Sequence, residues 1–244
     1  GSLLPFGRHP MIPLKDDIPT RTVPFVTVGL IAASVLVFLY QASLGLAGDP
    51  VALRAAQGFI FEFGLIPCRL TGGCAVPGGF PSPAVTVFTS MFIHGGLFHV
   101  AGNMLYLWIF GYNVEDTLGH GRFLGFYLLA GVAAALAQTA MGPSSTIPMI
   151  GASGAVSGVL GAYLLLYPHA NVLTLVTFGF FIRIVRIPAM IVLGFWIVVQ
   201  LLNGLVTFGN SARGGVAWFA HIGGFLAGLV LLWVLRPTRR RSSW

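Results

Sequence analysis

Two residues in apolar surroundings carry the groups needed for acyl-transfer chemistry. Ser153 lies in Gly151-Ala152-Ser153-Gly154, at the head of an apolar run that reaches Tyr167; His221 lies in Ala220-His221-Ile222-Gly223-Gly224, inside another. A serine hydroxyl is a weak nucleophile until a neighbouring base takes its proton, and imidazole suits that task near neutral pH. Ionisable and strongly polar groups are expensive in hydrocarbon, so both positions are functional candidates. His99 and Asn103 are four residues apart and therefore share one helix face. As imidazole and amide they can donate hydrogen bonds to a carbonyl oxygen as it becomes charged.

No carboxylate joins them, because Asp16, Asp17, Asp49, Glu62, Glu115 and Asp116 all fall outside the expected membrane spans. The inventory therefore permits a Ser-His dyad. Each residue also has a structural alternative. Ser153 could cap a helix, His221 could be an interhelical hydrogen-bonder, and His99 with Asn103 could simply tie helices together. His94, five residues before His99, reads as structural or interfacial. His9, His120 and His169 fall in segments expected to be cytoplasmic, and Glu115 and Asp116 are expected to pair with Arg122 or other nearby bases.

The elements that must position these groups are set by composition: 56% hydrophobic and 8% charged residues, with 33 glycines and a mean hydropathy of +0.89. This is the composition of a polytopic, all-α membrane protein. Apolar runs of about 20 residues, long enough to cross roughly 30 Å of hydrocarbon, take up most of the chain. Six helical spans are expected, over 25–46, 97–113, 123–141, 152–167, 187–206 and 216–235. Pro24, Pro168, Pro188 and Pro237 stand at their ends, where a residue unable to continue a helix interior belongs. The run Val172 to Ile182 would extend only about 16 Å as a helix, so it is read as an interfacial or loop segment.

Six spans divide into a segment before the membrane (1–24), a membrane domain (25–235) with a long first loop (47–88) at the outer interface, and a basic tail (236–244). Ten of the 13 basic residues, Arg8, Lys15, Arg21, Arg122, Arg183, Arg186, Arg236, Arg239, Arg240 and Arg241, then share one side, leaving Arg54, Arg69 and Arg213 on the other. The positive-inside rule places both termini in the cytoplasm. The tail is read as a topology anchor near anionic lipid, with no nucleic-acid role, and no removable signal peptide is expected. In this topology the second, fourth and sixth spans all enter from outside, so His99, Asn103, Ser153 and His221 lie in one layer beneath the outer face. Glycines 154, 158, 161, 224 and 228, with Ser157, form small-xxx-small patterns that let the fourth and sixth spans approach closely.

The motif around Ser153 resembles the GxSG element of the rhomboid intramembrane serine proteases. The stretch His94-Gly95-Gly96-Leu97-Phe98-His99-Val100-Ala101-Gly102-Asn103-Met104 is similar to the family's HxxxN element, and Ala220-His221-Ile222-Gly223-Gly224 to its AHxxG element. Each motif is weak alone; in the right order on the right spans they are strong. The resemblance implies a six-helix fold, Ser153 as nucleophile, His221 as general base, and His99 with Asn103 near the oxyanion. It also implies a gate and cap made by the fifth span and the loop Thr207 to Val216. Implied substrates are single-span proteins with helix-destabilising residues near the outer end, and no cofactor or metal is implied. A non-proteolytic membrane chaperone or adaptor of the same fold is the alternative.

The first loop is rich in Gly and Pro but carries Phe59, Ile60, Phe61, Phe63, Leu65 and Ile66, an apolar set suited to the membrane interface. Its Cys68 and Cys74 admit a disulfide or two free thiols, whereas their spacing without nearby histidines is poor for zinc. A transporter is disfavoured by the lack of charges in the spans and of internal repeats. Metalloprotease and aspartyl chemistry are disfavoured by the absence of HExxH and of an aspartate within a span. The inner membrane of a bacterium is the expected location.

Overall fold

Apolar stretches bounded by proline and glycine form helices in the computed structural model, which describes residues 11–75, 81–178, 181–207 and 216–236. In chain order the elements are β1 (Met11–Asp16), α1 (Phe25–Leu44), α2 (Pro50–Phe63), α3 (Pro67–Leu70), α4 (Pro83–Thr89), α5 (Leu97–Tyr106), α6 (Tyr112–Leu118), α7 (His120–Met141), α8 (Ser153–Leu166), β2 (Asn171–Phe178), β3 (Phe181–Pro188), α9 (Ala189–Thr207) and α10 (Trp218–Leu235). A wide π-type turn over Leu107–Gly111 joins α5 to α6 in one continuous span. That span runs five residues past the expected end at 113, to Leu118, and stops where Gly119 adopts φ +80°, a conformation natural to glycine.

The molecule is a multi-pass bundle of membrane helices. α1, α7, α9 and α10 are long and apolar enough to cross a bilayer, and α5–α6 qualifies when joined to Pro83–Phe92 across an 84° bend. Their outer faces carry uncovered Leu36, Leu205, Val230 and Trp233, which lipid solvates and water would not. α8 is different. Its 14 residues span only about 21 Å, yet Gly154 to Tyr163 are all buried. The other helices shield it from lipid, so it need not match the bilayer thickness.

Glycine governs how α8 sits. A methyl group at Gly224 would collide with the carbonyl oxygen of Gly154, one at Gly228 with that of Gly158, and one at Gly161 with that of Phe225. α8 and α10 thus meet backbone to backbone, the geometry small residues permit in membranes. On the other side, Gly154 and Gly158 face the methyls of Ala134 and Ala130 on α7.

Val172 to Ile182 does not span. Rich in β-branched residues, which favour strands, it supplies β2 and the start of β3 in an antiparallel sheet ordered β1–β2–β3. This sheet was not anticipated from the sequence; it lies at the end of the bundle opposite Ser153. Asp16 closes β1 and is buried, accepting hydrogen bonds from Tyr112, from Asn113 Nδ2 at 2.5 Å and from Tyr163 Oη at 2.5 Å. Burial pushes its carboxyl above the usual carboxylate range, and the tyrosine hydrogen bonds oppose that shift. Asp16→Ala would leave three donors without their acceptor. A loss of about 3 kcal/mol is expected, read as an earlier unfolding midpoint in detergent micelles; wild-type stability would show that the sheet does not brace the bundle.

Of the acids at the end of α6, Glu115 caps α1 and pairs with His120 rather than Arg122, while Asp116 holds the segment before α1. Glu115, fully buried, accepts from Val26 N at 2.9 Å, Thr27 N at 2.8 Å and Thr27 Oγ1 at 2.6 Å, and contacts His120 Nδ1 at 2.6 Å. α1 begins after Pro24, which offers no side-chain cap, so a carboxylate from another helix satisfies its free N–H groups and complements its dipole. Asp116 likewise accepts from Thr22 N at 2.9 Å and Thr22 Oγ1 at 2.6 Å. Both acids therefore lie inside a helical span, at the end remote from His221.

Candidate active site

The turn into α8 is held from several sides. Gly151 has φ +115°, and any side chain there would strike the His99 ring. Its N–H donates to Ser90 O at 2.9 Å, and the next N–H, of Ala152, donates to His94 Nε2 at 3.4 Å. The preceding segment is pinned to the first loop: Leu65 and Met149 exchange backbone hydrogen bonds of 3.1 and 2.7 Å, and Cys68 N donates to Ser145 O at 3.0 Å. Cys68 and Cys74 are joined by a disulfide that closes the turn after α3. Within the loop, Phe59 packs between Tyr40 and Phe63, and Leu65 and Ile66 are buried. The first loop thus braces the strand of chain that delivers Ser153.

Ser153 is the first residue of α8 but does not cap it; the cap position is Ala152, with no side-chain hydrogen bond. Its Oγ instead lies 2.9 Å from His221 Nε2, between residues 68 apart in sequence. His221 sits in the first turn of α10, and the close approach of Gly224 to Gly154 brings that turn beside the start of α8. The imidazole is flanked by Trp196, 5.9 Å between ring centroids at 37°, and by Trp218, 6.2 Å at 88°. Its other nitrogen, Nδ1, lies 2.7 Å from Gln200 Oε1 on α9.

His99 and Asn103 project from α5 toward the same place. Gly95 N donates to His99 Nδ1 at 3.2 Å, so the neutral ring carries its proton on Nε2, the nitrogen that lies next to Gly151. Asn103 Nδ2 donates to the His99 carbonyl at 3.0 Å. Both residues line a cavity of about 650 Å³ together with Ser153, Ser157, Trp196 and His221. The structure thus brings all four residues singled out in the sequence to one cavity. Ser153 lines it from the first turn of α8, where backbone N–H groups have no intrahelical acceptor. A hydroxyl, a base and several donors around one void can accommodate a carbonyl carbon under attack and the oxygen that becomes negative.

Three participants were missed from the sequence: Gln200, Trp196 and the acceptor role of His94. Gln200 had a signal, being with Asn203 one of two amides in an apolar span. Trp196 and His94 had none that separates them from interfacial residues. Of the loop Thr207 to Val216 assigned as a cap, 208–215 lie outside the described residues, as do Arg239, Arg240 and Arg241 of the tail 236–244.

Residues 82–238 match the family model described as Rhomboid domain. The chain is 37% identical over 142 residues to the rhomboid protease GluP of Bacillus subtilis, covering 58% of this chain and 24% of that protein. It is 29% identical over 156 residues to the mitochondrial rhomboid protein 1 of Saccharomyces cerevisiae, covering 62% and 42%. It is 31% identical over 153 residues to RHOMBOID-like protein 1 of Arabidopsis thaliana, covering 62% and 35%. The matched part spans less than half the length of each of these relatives.

Proposed function

The chain belongs to the rhomboid family, and from that premise we propose that it is an intramembrane serine endopeptidase working through a Ser153–His221 dyad. The observation that carries the proposal is the 2.9 Å contact between Ser153 Oγ and His221 Nε2 inside a cavity. Ser153 Oγ attacks a substrate carbonyl carbon while its proton passes to His221 Nε2. The tetrahedral oxygen is held by the Ser153 N–H group with His99 Nε2–H and Asn103 Nδ2–H. His221 returns the proton to the leaving amine; water, deprotonated by the same nitrogen, then releases the acyl group from Ser153.

The substrates are transmembrane proteins, single-span ones in our reading, cut near the outer face, a reading supported by the span count that puts Ser153 and His221 in one layer and by the shortness of α8. Both termini face the cytoplasm of a bacterium in this proposal, on the strength of the clustered basic residues, with 25–235 as the membrane domain.

The test is to reconstitute the protein with a panel of single-span substrates and, separately, to expose it to a fluorophosphonate. Cleavage products and a label on Ser153 are expected. Substrate retained uncut, with no label, would overturn the protease reading and favour a chaperone or adaptor. Activity should also fall in acid, because a protonated imidazole cannot accept the serine proton. A kcat/KM profile with no acid limb anywhere in the pH range where the protein stays folded would remove His221 from the role of base.

A further inference from the structure

Gln200 is a buried amide on an apolar helix, and its Oε1 lies 2.7 Å from His221 Nδ1. An amide oxygen has no proton to give, so Nδ1 must be the donor in this contact. A neutral imidazole carries one N–H; with it on Nδ1, Nε2 presents a lone pair. That lone pair faces Ser153 Oγ at 2.9 Å, so the serine hydroxyl donates to it. The chain of bonds from Gln200 through His221 to Ser153 therefore has one polarity, the one nucleophilic attack requires.

We propose that Gln200 is the positioning residue of this dyad, fixing the His221 tautomer and ring orientation as a neutral third member. The inference rests on the protease reading and deepens it. The acids are engaged elsewhere: Asp16 by Tyr112 and Tyr163, Asp17 by Asn171, Asp49 at the start of α2, Glu115 at the start of α1 and Asp116 by Thr22. Glu62 is on the surface of α2. An amide performs the orienting task without placing a second ionisable group in hydrocarbon, where a carboxylate would be expensive. The arrangement also makes the base depend on α9. Trp196, one turn before Gln200 on the same helix, supports the ring, so the imidazole is set from two sides only while α9 is docked against α10.

The experiment compares full-length wild type with Gln200→Met, which keeps the length of the side chain but removes the strong acceptor, and Gln200→Glu, which keeps an acceptor at the same reach. The ring nitrogens of His221, labelled with ¹⁵N and assigned by loss of signal in His221→Asn, report the tautomer directly. Wild type is expected to show a protonated Nδ1, and Gln200→Met a mixture of tautomers. Fluorophosphonate labelling should slow about 10-fold in Gln200→Met, the scale of one lost hydrogen bond, and return to within about threefold of wild type in Gln200→Glu. Should Gln200→Met fail to fold, Gln200→Leu serves in its place. Wild-type labelling and an unchanged ¹⁵N pattern in the acceptor-free variant would overturn the assignment. If wild type itself neither labels nor cleaves, the protease reading fails, while the ¹⁵N comparison still decides whether Gln200 sets the tautomer.

Discussion

Ser153→Ala is expected to lower kcat/KM for a transmembrane substrate by about 10⁴-fold or more, with the fold and the unfolding midpoint unchanged. The magnitude follows from the role: when nucleophile and base act as one unit, removing either removes nearly all of the covalent pathway. His221→Ala should fall to a similar level, and the double variant no further, because the two residues share one function. The fold should tolerate the serine change, since Oγ neither caps α8 nor fills the helix interface; Ser157 Oγ still donates to the residue 153 carbonyl, as it does at 2.6 Å. Cleavage is read by gel and mass spectrometry after reconstitution. Measurable processing by Ser153→Ala at the wild-type bond would sink the mechanism, whatever the family.

Gly224→Ala is expected to cost about 10²-fold in kcat/KM, although residue 224 is chemically inert. The added methyl would meet the Gly154 carbonyl oxygen, a backbone atom of α8 that cannot rotate aside as a side chain could. α8 and α10 must therefore separate, and with them Ser153 and His221, which are anchored one residue before Gly154 and three before Gly224. A displacement near 1 Å is enough to cost on the order of 10²-fold in a positioned reaction, and overpacking of this kind typically removes about 1–3 kcal/mol of stability. Gly29→Ala is the control: on α1 a methyl meets nothing within 4 Å, so higher helix propensity should leave stability equal or slightly raised. Fluorophosphonate labelling at the wild-type rate in Gly224→Ala would show that the glycine contact does not hold the dyad together.

Much of this protein could be read from the chain. Its class, the positions of its apolar helices and its family followed from hydropathy, proline punctuation and three short motifs, because lipid sorts residues by local composition and leaves that record in the sequence. Counting spans also grouped Ser153, His221, His99 and Asn103 without any knowledge of contacts, and they line one cavity. Rotation about each helix axis and the partner each polar group finds were settled only in three dimensions. Nothing local tells Glu115 that it will cap α1, or Asp16 that Tyr163 waits 147 residues away, or the Met11–Asp16 segment that it will pair with β2. Gln200 reaches His221, 21 residues on, only because α9 packs against α10 with that face inward. Such bonds depend on how closely glycine-lined backbones approach and at what angle, and packing of that kind is a property of surfaces that meet after the chain has folded.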